Sequence, residues 1–339
     1  MIGKRSIFIH AGLAVTSAVI ALGVWTRDKQ AKPVAQGEVT VWPGRPADVE
    51  RIVYEGKKKR LELTSKKDDA GRYFVGTFEK EKSAPKPPAD PDGGAPPPEP
   101  APEKTTVSLV SITPAEKLLD LIAPLKSARA VGQVAADKES DFGLNEPEGT
   151  LTVKIRDAEH KLVIGGPTPG GGDRYAREPS TGDVFILKAD VFRSVDSPES
   201  SMMERDLHDW KDPEIAAAKL SAGGKSATIV RGGPETKRFW ASAESKDQAD
   251  ETIGNWMSKI DRMRPTEYVE KLPDPHETVV RIDYAGAGGP LGYLEIVRGP
   301  ASDSGKAQYY VVTERTRLYG KVPGSAGEQV EQDLSALVK

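Results

Sequence analysis

The chain contains no cysteine. This excludes disulfide staples, thiolate metal sites, a lipid-modified cysteine and cysteine nucleophiles. A charge excess is also missing: 48 Lys+Arg face 51 Asp+Glu, a net of -3. Without a basic surplus the chain lacks the counter-charge that phosphate backbones demand, so nucleic acid is not an expected partner. Histidine is scarce. His160, His208 and His276 stand singly, outside any H-x-H or H-E-x-x-H arrangement, and no metal is expected on that spacing. Neither a G-x-S-x-G elbow nor a G-x-x-x-x-G-K-[ST] loop occurs, which removes the commonest serine-hydrolase and nucleotide signatures. Catalytic residues and cofactors are therefore not expected.

Long apolar runs are absent too, apart from one. Ser6 to Trp25 carries no charge, with Lys4 and Arg5 before it and Arg27 and Lys29 after it. About 20 apolar residues at roughly 1.5 Å each span a bilayer core of about 30 Å. Trp25 stands where an interfacial aromatic belongs, and His10 lies near one end, within reach of the headgroups. A cleaved signal peptide would have a shorter apolar region and a small-x-small site, which Ala21-Leu22-Gly23 matches poorly. The expectation is a single-pass membrane anchor over residues 1–27, contacting the membrane through 6–25. A tether follows over 28–37. The short tail and long body favour an inner-membrane protein whose body is periplasmic.

Proline, by contrast, is plentiful, and it clusters. Residues 81–105 are Pro-rich with Gly and charges, a composition that cannot bury enough apolar surface to offset chain entropy. They read as a disordered insertion, with PPPEP more in keeping with a spacer than with a recognition ligand. Around it the chain repeats one pattern. Val49, Ile52, Tyr54, Leu61, Leu63, Tyr73, Val75 and Phe78 alternate as strands. Thr113-Pro114-Ala115-Glu116 reads as a helix start with Thr113 as its cap, and Leu118, Leu121, Ile122 and Leu125 follow as its stripe. Two hairpins and a short helix near Asp190–Val195 close the first copy. The second copy runs through IAAAKLSAGGKSATIVRGG and KRFWASA, a capping box at Ser245 and Gln248, and a stripe of Ile253, Trp256, Met257, Ile260 and Met263. Two more hairpins follow, and then a last helix with Val330, Leu334 and Leu337. The expected fold is α+β: the N-terminal transmembrane helix, then two tandem repeats (38–198 and 213–339, joined by a connector 199–212). Each repeat is expected to be a small, mostly antiparallel sheet with one long packing helix.

Phe142-Gly143-Leu144 before Pro147, the strand pair ending Ile164-Gly165-Gly166, and Asp173-Arg174-Tyr175-Ala176-Arg177 leading to Val184 resemble the domain-of-unknown-function 4340 family. Arg264-Pro265-Thr266-Glu267-Tyr268-Val269 is similar to that family's second copy. The resemblance implies a bacterial envelope protein linked with auxiliary components of gliding-motility-type ABC transporters. It attaches no catalytic residues. The Pro-rich insertion departs from a compact member.

Several features invite sharper readings. The Gly-rich run Gly165–Arg174 suggests a phosphate cradle, but it leads into a strand and reads better as a turn. Asp206, His208 and Asp209 offer an acid–base group for a hydrolase, though a connector histidine beside acids is more often a surface residue. Asp68-Asp69 reads as a solvated turn. Trp210, Trp240 and Trp256 suggest sugar stacking, with Trp256 better explained as core. Lys57–Arg60 suggests lipid contact, with a charged hairpin turn as the plainer reading. The function expected on balance is a non-catalytic, membrane-anchored accessory or scaffold protein of the bacterial envelope, its partner an ABC-type permease, auxiliary subunit or motility machine. The alternative is a module that binds envelope polysaccharide or peptidoglycan.

Overall fold

The structure is a computed structural model that describes residues 37–82 and 103–338. Nineteen strands fall into three sheets among these residues, every pair antiparallel. The first large sheet begins with a meander of β2 (Val49–Gly56), β3 (Lys59–Asp68), β4 (Gly71–Lys82) and β5 (Glu103–Ser111). A second meander, β8 (Gly149–Ile155), β9 (Ala158–Pro167), β10 (Arg174–Arg177) and β11 (Asp183–Leu187), joins it because β8 pairs with β2. β7 (Ala130–Gln133) closes the far edge, giving the order β5-β4-β3-β2-β8-β9-β10-β11-β7.

The second large sheet has the order β14-β13-β12-β16-β17-β18-β19-β15. Its central pair is β12 (Ile215–Ala222) with β16 (Glu277–Gly286), and β13 (Lys225–Gly232) and β14 (Phe239–Ser242) extend it on one side. β17 (Gly289–Ala301), β18 (Ala307–Thr313), β19 (Tyr319–Val322) and β15 (Glu267–Val269) extend it on the other. The strand orders of the two sheets correspond one for one, except that β5 has no counterpart. A third, two-stranded sheet pairs β1 (Val39–Trp42) with β6 (Leu125–Ser127).

One face of each large sheet is covered by helices. α1 (Thr113–Ile122) buries Ala115, Leu118, Leu119 and Ile122, and α2 (Ala189–Asp196) buries Val191, Phe192 and Val195. In the second half α3 (Glu251–Asp261) buries Ile253, Trp256, Met257 and Ile260, and α4 (Gly324–Leu334) buries Val330 and Leu334. Strand residues of alternate register, such as Leu61, Leu63, Leu151 and Val153, meet the helices in the first core. Ile282, Leu294, Ile296 and Val311 do the same in the second. Each such fully buried side chain contributes about 1.5–3 kcal/mol.

The α+β expectation needs correction. The chain is mostly β, 47% strand against 21% helical, because the pairs β2–β8 and β12–β16 fuse what reads locally as short hairpins into nine- and eight-stranded sheets. The packing helices are only 10 and 11 residues long. The transmembrane part of that expectation finds no support either: residues 6–25 lie outside the described residues, and no described helix is long and apolar enough to cross a membrane.

Local details also differ. Thr113 is the first helical residue of α1 and not its cap. α3 is capped by Asp250, whose Oδ1 accepts the N–H groups of Thr252 (2.9 Å) and Ile253 (3.1 Å), not by Ser245. In the expected insertion 81–105, Glu81 and Lys82 end β4, and Glu103–Thr105 begin β5; residues 83–102 lie outside the described residues. β5 escapes the sequence pattern because its first four residues are exposed and its apolar positions come only at the end.

Candidate functional site

The connector between the two halves is built around a buried carboxylate. Glu204 is 1% exposed. Its Oε2 accepts the main-chain N–H groups of Ile112 (3.3 Å) and Thr113 (3.0 Å), two donors that the first turn of α1 cannot satisfy itself. The positive end of the helix favours the negative charge. Oε1 accepts the N–H groups of Arg205 (3.1 Å) and Asp206 (3.0 Å). The guanidinium of Arg315, from the loop after β18, completes the set at 3.1 Å. It also donates to the Thr113 hydroxyl at 2.7 Å and pairs with Asp209. The Tyr268 hydroxyl of β15 donates to the Glu204 carbonyl at 2.8 Å, and its ring sits in the first core. One connector residue thus caps the helix of the first half and pairs with a buried cation of the second. On the surface, Arg317 holds Asp68 across the same junction (2.7 Å) and keeps its carboxyl below the usual range.

His208 belongs to a neighbouring cluster. Its Nδ1 lies 2.9 Å from Glu314 Oε1, and Glu314 Oε2 accepts the Tyr293 N–H at 2.8 Å. The Glu314 carboxylate rests against Gly292, where an added Cβ would come within 2.3 Å of it. The imidazole stacks on Trp210 (4.0 Å, 20°) and meets Tyr284 edge-on at 5.2 Å. Asp206, His208 and Asp209 therefore do not converge: Asp209 faces Arg315, and Asp206 is tied to Glu204 through its main chain. The histidine's acidic neighbour is Glu314, more than a hundred residues away in sequence, and no local motif announces it.

Beside this cluster opens a cleft of about 430 Å³. Trp210, His208, Tyr284 and Ile260 line it, with Asp206, Asp212 and Asp261 and the cations Arg205, Lys211 and Arg264. Asp261 follows Ile260 at the end of α3. Desolvation by the cleft wall raises its carboxyl pKa, and the Asp212 carboxylate adds to this; because its side chain stays open to water, the effect is muted. Burial, then Asp261 and Glu314, push the Tyr284 phenol above its usual range. The indole N–H of Trp210 is buried with no hydrogen-bond partner among the described residues.

The other sequence candidates are dispersed. In the Gly165–Arg174 run, Arg174 binds Glu148 at 2.7 Å and lies over Phe192, so its cation is already engaged. Gly143, at φ +63°, abuts the backbone of Gly166, where a Cβ would come within 2.5 Å of its nitrogen. The Phe-Gly-Leu and Gly-Gly landmarks are thus one close backbone crossing. His160 stacks on Trp42 at 5.1 Å, and His276 sits by Asp274 at 3.0 Å. Trp256 donates to the Val330 carbonyl (3.0 Å) within the core, and Trp240 lies under Arg231. In the Lys57–Arg60 turn, Lys59 pairs with Asp196, and Arg60 with Glu55 and Glu62. Among the described residues no three histidine or acidic side chains converge as a metal set.

Comparison with known proteins places one span of the chain. Residues 113–278 match the family described as Domain of unknown function (DUF4340), the family that the sequence landmarks resemble. No curated protein and no solved structure matches the chain.

Proposed function

We propose, from the premise that residues 113–278 belong to this family, that the protein is a non-catalytic accessory or scaffold protein of the bacterial envelope. Its work is to present two rigidly joined sheets to a partner protein. The observation that carries this reading is the clasp at Glu204. Breaking a buried ion pair by removing one partner costs about 3–5 kcal/mol, so the two halves keep one relative orientation, as a platform requires. Of the connector's titratable groups, Glu204 and Asp209 serve that clasp, and His208 is held by Glu314. The expected partner is an ABC-type permease, an auxiliary subunit or a motility machine. Affinity purification from gently solubilised membranes should recover it in stable ratio with the chain. A protein that stays a lone monomer after crosslinking in cells counts against the reading.

A second reading, an envelope polysaccharide or peptidoglycan-binding module, draws on the cleft beside Trp210, where an indole, a phenol and carboxylates line one wall. Retention on isolated cell wall would favour it.

A further inference from the structure

The matching strand orders provide an internal control for the loop between β18 and β19, residues 314–318. Its counterpart in the first half is the turn between β10 and β11, residues 178–182. That turn is largely exposed and closes on itself. The Gly182 N–H donates to the Glu178 carbonyl at 2.8 Å, and the Thr181 hydroxyl to the Glu178 carboxylate at 3.0 Å. A plain turn thus suffices to join these two strands. The loop of the second half grips the connector instead. Thr313, at its start, donates to the Leu207 carbonyl (2.6 Å), Glu314 holds His208, and Arg315 pairs with Glu204. Leu318 packs against the first core beside Tyr268. These contacts gather around Glu204, where the Tyr268 hydroxyl also binds. The sheet edges add no ladder: β15 lies against β5, but β15 pairs only with β19, and β5 only with β4.

A body held around one point can still turn about it, and a second contact at a distance is needed to fix the angle. Arg317 supplies that contact. Its guanidinium holds both carboxylate oxygens of Asp68, at 2.7 and 3.1 Å, and lies 4.8 Å over the Tyr73 ring. Asp68 ends β3, two strands across the sheet from the end of β5, where Glu204 binds; at the usual strand spacing that is about 10 Å. The guanidinium also donates to the Arg315 carbonyl, which ties it back to the pinned part of the loop. The backbone of Arg317 is left-handed, φ 59°, a conformation that glycine adopts freely and other side chains only at a cost. What the arginine reaches offsets that cost. We infer that Arg317 sets the angle between the halves: the Glu204 clasp pins them, and the grip on Asp68 and Tyr73 stops them turning about the pin. The inference rests on the platform reading above and names the group that fixes the platform's shape. Polar contacts between domains leave relative motion as the default unless a further contact removes it. Asp68 is 36% exposed, so the pair adds little to stability. Angle and stability therefore separate: one residue moves the first and barely moves the second.

The test uses the full-length chain. It has no cysteine, so two can be introduced at exposed hairpin positions, Asp157→Cys in the first half and Lys225→Cys in the second. Spin labels on both report the distance between the halves by pulsed dipolar spectroscopy. The labelled parent should give one narrow distribution. Arg317→Ala should widen it about twofold or more, while the thermal midpoint falls by about 4 °C or less. Asp68→Asn should do the same from the other side of the pair. Arg317→Lys, which keeps the charge but loses the planar fork, should fall between parent and Arg317→Ala. An unchanged distribution in either Arg317→Ala or Asp68→Asn overturns the inference and leaves the platform reading intact. Widening that comes only with a collapse of the midpoint overturns it too, because the pair would then be holding the fold and not the angle. A parent already as broad as its variants overturns both readings.

Discussion

Trp42 and Trp210 hold corresponding places in two halves of like strand order, and they face opposite fates. Trp42 is packed between His160 and the end of α1, with its N–H satisfied. Trp210 lies against His208 beside a cleft, its buried N–H without a hydrogen-bond partner among the described residues. The sheets beneath are alike, and so are the arginines that lock the turns, Arg72 and Arg238. Apart from β5, which has no counterpart, the halves differ in the chain that enters each. In the first it forms a strand and seals the place. In the second it serves as the connector, bent instead around Glu204. A duplicated fold can thus keep its core in both copies and use one copy's entry segment to join them.

This comparison can be broken by substitution, and the largest effect should fall on the closed side. Trp42→Ala removes a fully buried indole and should cost about 3–5 kcal/mol in denaturant unfolding, whereas Trp210→Ala, at a half-buried site, should cost about 2 kcal/mol or less. Equal losses would mean that the two places are packed alike. Arg315→Met should approach the larger figure, about 3–5 kcal/mol, because Glu204 is left as an uncompensated buried charge. The double change Arg315→Met with Glu204→Met should recover part of the loss in a double-mutant cycle. On the solvent side of the same junction, Arg317→Ala should cost about 1 kcal/mol or less.

Gly292→Ala tests the second half alone. Its methyl displaces the Glu314 carboxylate, so about 1–3 kcal/mol should be lost, and the His208 imidazole should lose its partner, visible as a shift of its ring resonances. The smallest effect belongs to Asp261. Its carboxyl pKa is raised in the folded state, so the folded protein binds a proton more readily than the unfolded chain. The stability this gives is present at acid pH and declines as pH rises from about 4 upward. Asp261→Asn should flatten that slope and change neutral-pH stability by about 0.5 kcal/mol or less. An unchanged slope would show that Asp261 titrates as it would in the unfolded chain.

Much of the fold is encoded locally, and the reasons are specific. Alternation at Leu61 and Leu63 or at Leu294 and Ile296 marks strands, because a half-buried strand must bury every second residue. The stripe Ile253, Trp256, Met257 and Ile260 marks a helix for the same reason at a different period. α3 and its counterpart α1 lie within these stripes, but the last members end outside the helices: Leu125 begins β6, and Met263 follows the end of α3. The Phe142-Gly143-Leu144 landmark falls within the span that matches the family. At the start of α1 the cap is not local: Glu204, 91 residues from Thr113, satisfies the donors that a Thr113 side chain would take. β5 escaped because it is apolar only at its inner end.

What the sequence determined by itself was periodicity and turn chemistry, properties set by neighbours within a few residues, and the family match of residues 113–278. What only the tertiary structure decided was which strands fuse, since β2–β8 and β12–β16 join residues far apart along the chain. It also decided which polar groups meet. Glu204 with Arg315, His208 with Glu314, and His208 stacked on Trp210 are outcomes of how two sheets close on one connector. Burial sets their energies, and burial belongs to the assembled chain.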